Sequence, residues 1–370
     1  MTSLDEDLLT FSESIGDVLQ AECDRHKVHG YFDGENDLDV ALWRRAKDLG
    51  WLAIGVAEEF EGLGLGPRGL DVLFRALGRN LAPGPFLSTL VAAQWLSECA
   101  PPATAAQCMQ GIIAGEVSLG IPALPGSGAA MKIEAGRITG ESEPLLISPW
   151  ARLCILPVSD AGQPGFALVA IGDGRARIAQ MDLWDRTRNI GRVSCENVAP
   201  AAVISDPLGR AVDLLRRHMA LAIAADSVGG ARAIAEQTVG YLKERHQFGR
   251  PLASFQALKH RAADLYVAIV EAEQALEHAV EAATLDTPSA SMWAALAKAA
   301  ASDAYFFVAS DCLQLHGGVG FTWQFDCHVF LKRALLNRQL AGDNDALRDF
   351  AADKLSEASL AGVTTAEFAA

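Results

Sequence analysis

No Cys-x-x-Cys pair occurs in these 370 residues, although seven cysteines are scattered along them: Cys23, Cys99, Cys108, Cys154, Cys195, Cys312 and Cys327. A chain this long does not need disulfide staples, so reduced core or near-surface thiols are expected. Also absent are His-Glu-x-x-His, Gly-x-Ser-x-Gly and any spaced Cys/His set, which excludes the familiar metal and serine-nucleophile sites. No uninterrupted apolar run reaches the ~20 residues that span a bilayer. The acidic start MTSLDEDLLTFSESIGD lacks the charged-then-apolar pattern of a signal peptide. A soluble cytoplasmic protein without a membrane partner is expected. Positive charge is scarce: 31 Lys and Arg stand against 46 Asp and Glu, a formal net charge of −15. That excludes a general binder of nucleic acid or anionic membranes, which needs a basic surface to displace counterions. A local cluster of arginine and lysine therefore requires a local anion. Neither an internal repeat nor a low-complexity linker is found.

What is present is apolar bulk, 50% of the residues, enough for a sizeable core and two or three domains. Residues 1 to about 112 read as helices. Segments such as LWRRAKDLGWLAIGV and LDVLFRALGRNL repeat apolar residues at three- and four-residue spacing, between the breaks GLGLGPRG and APGPF. From about 113 to 206 the pattern changes to short β-rich runs (VSLGI, MKIEAGRITG, ARLCILPV, FALVAIGDG, RVSCENV) separated by Gly, Pro and Asp. Residues 207–370 return to helix. Leu258, Ala262, Leu265, Ile269, Ala272 and Leu276 make one apolar stripe, a second helix is expected over about 291–315, and a third from about His328. The fold class expected is mainly α with a small β domain: an N-terminal helical domain, a middle β-barrel or sandwich, and a C-terminal four-helix bundle.

Two motifs carry chemistry. In 241-YLKERHQFGRPLASFQALKHRAADL-265, Lys243, Arg245 and His246 read as the last turn of a helix that Pro251 forbids from continuing. Cations there suit the helix dipole. Arg245 equally suits a phosphate or pyrophosphate, with Phe248 as a flat apolar face beside it. In 314-QLHGGVGFTW-323 the glycines follow a helix, not a strand, so they form no Rossmann turn. They read either as a glycine helix stop or as Gly317 and Gly318 letting backbone approach a ligand, with Gln314 offering an amide.

Taken together and in order, a helical domain, a small β domain and a bundle carrying R-x-x-F-G and Q-L-x-G-G-x-G about seventy residues apart resemble the acyl-CoA dehydrogenase family. The segment 58-EEFEGLGLG-66 resembles that family's E-E-x-G-G-x-G, with Glu61 where glycine is usual. The resemblance implies FAD held between two subunits. Arg245, Gln247, Phe248 and Gln256 would contact the pyrophosphate and nearby groups of a neighbouring subunit's FAD, and Gln314, Gly317 and Gly318 would line the adenosine end.

Departures from the family pattern are as informative. The segments that hold the flavin ring read 120-GIPALPGSG-128, without the Thr-Glu pair and the Asp, and 145-LLISPWARL-153 in place of a W-I-T-N-like strand. The family's catalytic glutamate would fall near Gly342 or near Met219, and neither is a carboxylate, although Asp343 is adjacent to the first. The expectation is therefore that this chain supplies no catalytic residue. It resembles the non-catalytic subunit of bacterial α2β2 steroid-type acyl-CoA dehydrogenases. A second acyl-CoA dehydrogenase subunit would provide the base, a bulky acyl-CoA would be the substrate, and an electron-transfer flavoprotein the acceptor. Two alternatives remain open: a homotetramer using Asp343 as its base, and a flavin-free structural subunit.

Overall fold

The computed structural model describes residues 3–126 and 130–363. The chain divides into two compact units, one formed by Asp37–Leu70 and Pro83–Met219, the other by Met1–Asn36, Asp71–Ala82 and Ala220–Ala370.

The first unit holds the β domain. Helices α3 (Leu38–Asp48), α5 (Phe86–Cys99) and α6 (Pro102–Ile113) accompany nine strands, β1 (Leu119–Pro122), β2 (Met131–Glu134), β3 (Arg137–Glu141), β4 (Leu145–Leu146), β5 (Leu153–Asp160), β6 (Gln163–Ala170), β7 (Ala176–Gln180), β8 (Ile190–Val198) and β9 (Ala202–Ser205). The pairing runs β1-β4-β8-β3-β2-β5, and the start of β5 also pairs in parallel with β1, on the same edge that β2 occupies farther along, so the middle of the sheet is forked. β6 and β9 extend the sheet beyond β5, and β7 is added beside β8. Alternate residues then face inward: Cys154, Leu156 and Val158 of β5 with Ala167 and Val169 of β6 join Ile138, Ile147, Val193 and Cys195 in one apolar core. Two of the cysteines are thus core thiols, as their scattering suggested.

The EEFEGLGLG segment belongs to this unit and shows why glycine recurs there. Glu61 has φ 63°, the left-handed region where glycine costs least. A Cβ on Gly62 would lie 2.1 Å from Val56 O. The segment is a folded knot whose amides at Gly62, Leu63, Gly64 and Leu65 bond back to residues 53–57.

The second unit contains α1 (Ser3–Glu22), α2 (Arg25–Asp33), most of α4 (Gly66–Arg79), most of α7 (Arg210–Glu244), α8 (Gln256–Thr284), α9 (Ala290–His316), α10 (Cys327–Gln339) and α11 (Asn344–Leu360). In α8 the expected stripe is buried at Leu265, Ile269, Ala272 and Leu276, whereas Leu258 and Ala262, nearer the helix start, are half-buried. α9 is rich in alanine and largely buried, which lets neighbouring helices approach closely. The α4–α7 crossing is closer still: a Cβ on Gly78 would lie 2.0 Å from Asp226 O, and one on Gly229 2.0 Å from Arg75 O. At that crossing Arg333 pairs with Asp226 through two bonds (3.1 and 2.5 Å), and Asn337 donates to Asp226 and to Ser227, all buried. A buried pair satisfied this fully is costly to break from one side, about 3–5 kcal/mol.

Candidate functional site

The basic motif is not the last turn of a helix. α7 stops at Glu244, so only Lys243 lies in its final turn. The Arg245 amide still reaches Tyr241 O (2.9 Å), but its carbonyl accepts from Leu252 N (2.8 Å). The chain has turned into a two-stranded hairpin, β10 (His246–Gln247) and β11 (Arg250–Pro251), with Gln247 opposite Arg250 and His246 opposite Pro251. The helix therefore ends well before Pro251. The cause is the Phe248-Gly249 corner, where φ is 51° and 77°. Positive φ at both central residues is the signature of a type I′ turn.

Glycine is at home in such a turn, but phenylalanine is not. Phe248 is also 90% exposed. A large apolar side chain in a strained, solvent-facing conformation is what a surface built to meet something else looks like. Its ring lies edge-on to Phe255 at 6.1 Å, and the Arg250 guanidinium lies 3.9 Å over the same Phe255 ring. Several cations here are left unpaired. Among the described residues Lys243, Arg245, Arg250 and Lys259 join no ion pair, while Arg232 and Arg261 are engaged by Glu273 and Asp311. The Gln247 side chain donates to the adjacent His246 O (2.9 Å). Gln256 is exposed as the first residue of α8, whose N-cap, Phe255, supplies no side-chain acceptor to the first turn.

The glycine motif ends α9. Gly317 has φ 65° and ψ −146°, a conformation essentially reserved for glycine, so the helix-stop reading is correct for it. Gly318 differs: a Cβ there would meet nothing within 4 Å, so no packing within this chain requires its bareness. Gln314 is exposed on the last turn of the helix.

The two motifs are joined by residues that sequence reasoning missed. Tyr241, one turn before Arg245, stacks on His316, the residue before Gly317, with ring centroids 4.3 Å apart and planes 16° from parallel. Phe325 packs against both rings at 5.2 and 4.8 Å. Burial pushes the His316 pKa down. Its Nδ1 lies 2.9 Å from Cys312 O and 3.3 Å from Cys327 Sγ. The spacing of Tyr241 and Arg245 carried no usable signal, because Arg245 lies past the end of α7 and shares no helix face with Tyr241.

At the expected position of the catalytic base the carboxylate present is that of Asp343, and one of its oxygens caps a helix. The α10–α11 turn holds Ala341 (φ 62°) and Gly342 (φ 112°). Asp343 is the N-cap of α11, its Oδ1 accepting from Asp345 N (3.1 Å) and Ala346 N (2.9 Å). The turn is held from beneath by Lys298, which is 0% exposed and donates to Arg338 O (2.9 Å), Gly342 O (2.7 Å) and Asn344 Oδ1 (2.9 Å). Burial pulls this lysine down to about 7, with the charges of Asp303 and Asp343 opposing. The other position, Met219, is fully buried, and the neighbouring Arg217 and His218 hold the Glu98 carboxylate at 3.3 and 2.8 Å.

The segments at the expected flavin-ring position are committed elsewhere. Pro125 O accepts from Arg216 (3.3 Å), and Ser127 and Gly128 lie outside the described residues. Trp150 donates to Asp39 (3.1 Å) and packs on Trp43 at 5.7 Å, while Ser148 bonds Ser118 (3.2 Å). No group of His, Cys, Asp and Glu that could hold a metal ion occurs among the described residues, and no helix there is long and apolar enough to cross a membrane.

Comparison with known proteins agrees with this architecture. Residues 5–116 match the family model "Acyl-CoA dehydrogenase, N-terminal domain" and residues 215–356 match "Acyl-CoA dehydrogenase, C-terminal domain". The chain is 30% identical to "Acyl-CoA dehydrogenase IpdE2" of Mycobacterium tuberculosis, over 89% of this chain and 91% of that protein. Among solved structures it resembles a variant of the Tcur3481-Tcur3483 steroid ACAD (TM-score 0.88, 25% identity, 97% of this chain and 100% of that one). It shares the fold of a chain in the ChsE4-ChsE5 complex from Mycobacterium tuberculosis (TM-score 0.87, 23% identity, 96% and 98% covered). A cationic hairpin with unengaged guanidinium groups and a glycine turn with open space above it fit a dinucleotide diphosphate. The chain belongs to the acyl-CoA dehydrogenase family, and FAD is its cofactor.

Proposed function

We propose that this chain is the base-free subunit of a heteromeric acyl-CoA dehydrogenase, pairing with a second acyl-CoA dehydrogenase subunit in an α2β2 assembly. The observation that carries this reading is the contrast between two sites. Arg245 joins no ion pair among the described residues and a Cβ on Gly318 would meet nothing within 4 Å, whereas the Ala341–Gly342 turn and Met219 have no carboxylate and Asp343 caps a helix through one oxygen. A neutral or apolar residue cannot remove a proton from the carbon α to a thioester.

In this reading the three-part division 1–112, 113–206 and 207–370 assigns the cofactor contacts to the last part. Arg245 presents a fork of donors to the FAD pyrophosphate, with Gln247 and Gln256 as neutral donors and Phe248 as a flat wall. Gln314, Gly317 and Gly318 line the adenosine end, where the missing Cβ of Gly318 leaves room for it. When bound, FAD accepts the hydride from the β carbon of the acyl chain. The partner's glutamate takes the α proton, and an electron-transfer flavoprotein removes the electrons. A bulky acyl-CoA, of the steroid side-chain kind, is the substrate class suggested by the name of the steroid dehydrogenase that this chain resembles.

Co-expression tests the reading. Alone, the chain should be poorly soluble or flavin-poor, because half of each FAD site is missing, and the partner should restore the yellow colour. A homotetramer that carries one FAD per chain and oxidises an acyl-CoA by itself would overturn it.

A further inference from the structure

We infer that Arg250 is a second diphosphate-binding arginine, forming with Arg245 a two-pronged clamp on one face of the hairpin. The inference rests on the reading of the hairpin as part of the FAD site and adds a residue that the motif R-x-x-F-G does not contain.

Register is the first argument. Gln247 pairs with Arg250, and the ladder continues to Arg245, whose carbonyl accepts from Leu252 N (2.8 Å). Cross-strand partners share a face and side chains alternate along each strand, so Arg245, Gln247 and Arg250 all project to the same side. Their Cβ atoms are then about 5 Å apart across the pair and about 7–8 Å along the diagonal. His246 and Pro251 occupy the opposite face. They form the pair without backbone bonds, which is why a proline is tolerated there.

The second argument is that this register is enforced at a cost. A two-residue connection requires positive φ at both central residues, and one of them is phenylalanine. A connection one residue longer would relieve Phe248, but it would shift Arg250 by one position and send it to the other face. The strained turn keeps Arg250 beside Gln247.

Thirdly, Arg250 is pre-ordered and unengaged. Its guanidinium rests 3.9 Å over the Phe255 ring, and it joins no ion pair among the described residues. Stacking fixes the plane of the fork while leaving its N–H groups free to donate. A diphosphate carries two adjacent charges, and two forks match it where one leaves a charge unmet.

Two ligands of this reaction contain an adenosine diphosphate group, FAD and coenzyme A. We assign the clamp to FAD, because the face that carries Arg250 also carries Arg245 and Gln247. The test uses the assembled protein stripped of flavin. FAD affinity is read by flavin fluorescence, coenzyme A affinity by calorimetry and folding by thermal unfolding, for Arg250→Ala, Arg250→Lys and Arg245→Ala. Arg250→Ala should weaken FAD binding about 10- to 100-fold, the usual effect of losing one charge-assisted contact. Arg250→Lys should recover only part of that, and neither the melting temperature of the flavin-free protein nor coenzyme A binding should change. If Arg245→Ala loses FAD while Arg250→Ala binds it as the parent does, the clamp is wrong and the hairpin reading stands. If both alanine variants keep FAD, the hairpin reading itself falls. Weakened coenzyme A binding with FAD unchanged would also overturn the assignment.

Discussion

Replacing Asp343 with asparagine separates a helix cap from a catalytic base, because the two roles respond to different properties of the side chain. As a cap, Asp343 uses one oxygen to accept from Asp345 N and Ala346 N at the start of the seventeen-residue helix α11. Asparagine keeps an oxygen in the same place and is an equally good N-cap, so only the attraction between a negative charge and the helix N-terminus is lost, about 0.3–1 kcal/mol. Alanine removes the acceptor as well and should cost about 1–2 kcal/mol. Turnover should stay within a few-fold of the parent in the Asn variant. If Asp343 were the base, the same variant would lose about 10²–10⁴ in turnover while folding normally. Urea unfolding measures the first quantity and acyl-CoA oxidation by the flavin-loaded assembly measures the second. Stability ordered parent, Asn, Ala with turnover preserved is the expected pattern. A collapse of turnover in the Asn variant, with FAD bound and the assembly intact, would refute the cap assignment and make Asp343 the catalytic residue.

Other expectations are independent of that one. Arg245→Ala should weaken FAD binding about 30- to 1000-fold, and Arg245→Lys should recover only part, as read by flavin titration. Phe248→Asn, which installs the Asn-Gly pair that a type I′ turn prefers, should raise thermal stability by relieving about 1 kcal/mol of strain, yet lower flavin retention, since the exposed ring is lost; a variant that melts no higher would argue against strain at this turn. Lys298 gives a pH signature. Its pKa is pulled by burial from 10.5 to about 7, so between those values the folded protein has released a proton that the unfolded chain still holds. Stability contributed by this group must then rise as pH rises through that window, and is lowest below it. Urea midpoints at pH 6.5 and 9 should show the parent gaining on Lys298→Met at the higher pH, and a difference that does not change with pH would disprove the shift. Tyr241→Ala should release the glycine turn and weaken FAD binding, while Tyr241→Phe, which keeps the stack on His316, should not.

Sequence alone determined what is governed by residues close together in the chain. The four- and three-residue spacing of Leu265, Ile269, Ala272 and Leu276 fixed which face of α8 is buried, since a helix repeats its environment every turn. Short β-rich runs marked the β domain, in whose core Cys154 and Cys195 lie. The paired motifs R-x-x-F-G and Q-L-x-G-G-x-G carried the family and with it the cofactor. What only the tertiary structure decided depends on residues far apart. The parallel pairing of β1 with β5 joins strands more than thirty residues apart, and no local pattern specifies it. The Tyr241–His316 stack joins motifs that are 75 residues apart in sequence. Asp343 could be read from sequence as a base or as a cap, because a carboxylate beside that loop looks the same whether its oxygen faces a substrate or the amides of the next helix. Arg250 was passed over for a related reason. Its proximity to Arg245 is a property of hairpin register, and the sequence suggested a helix end where two left-handed residues instead fold the chain back on itself. Local propensity sets which elements form, but the face a side chain shows, and what it faces, follow from how those elements pair and pack.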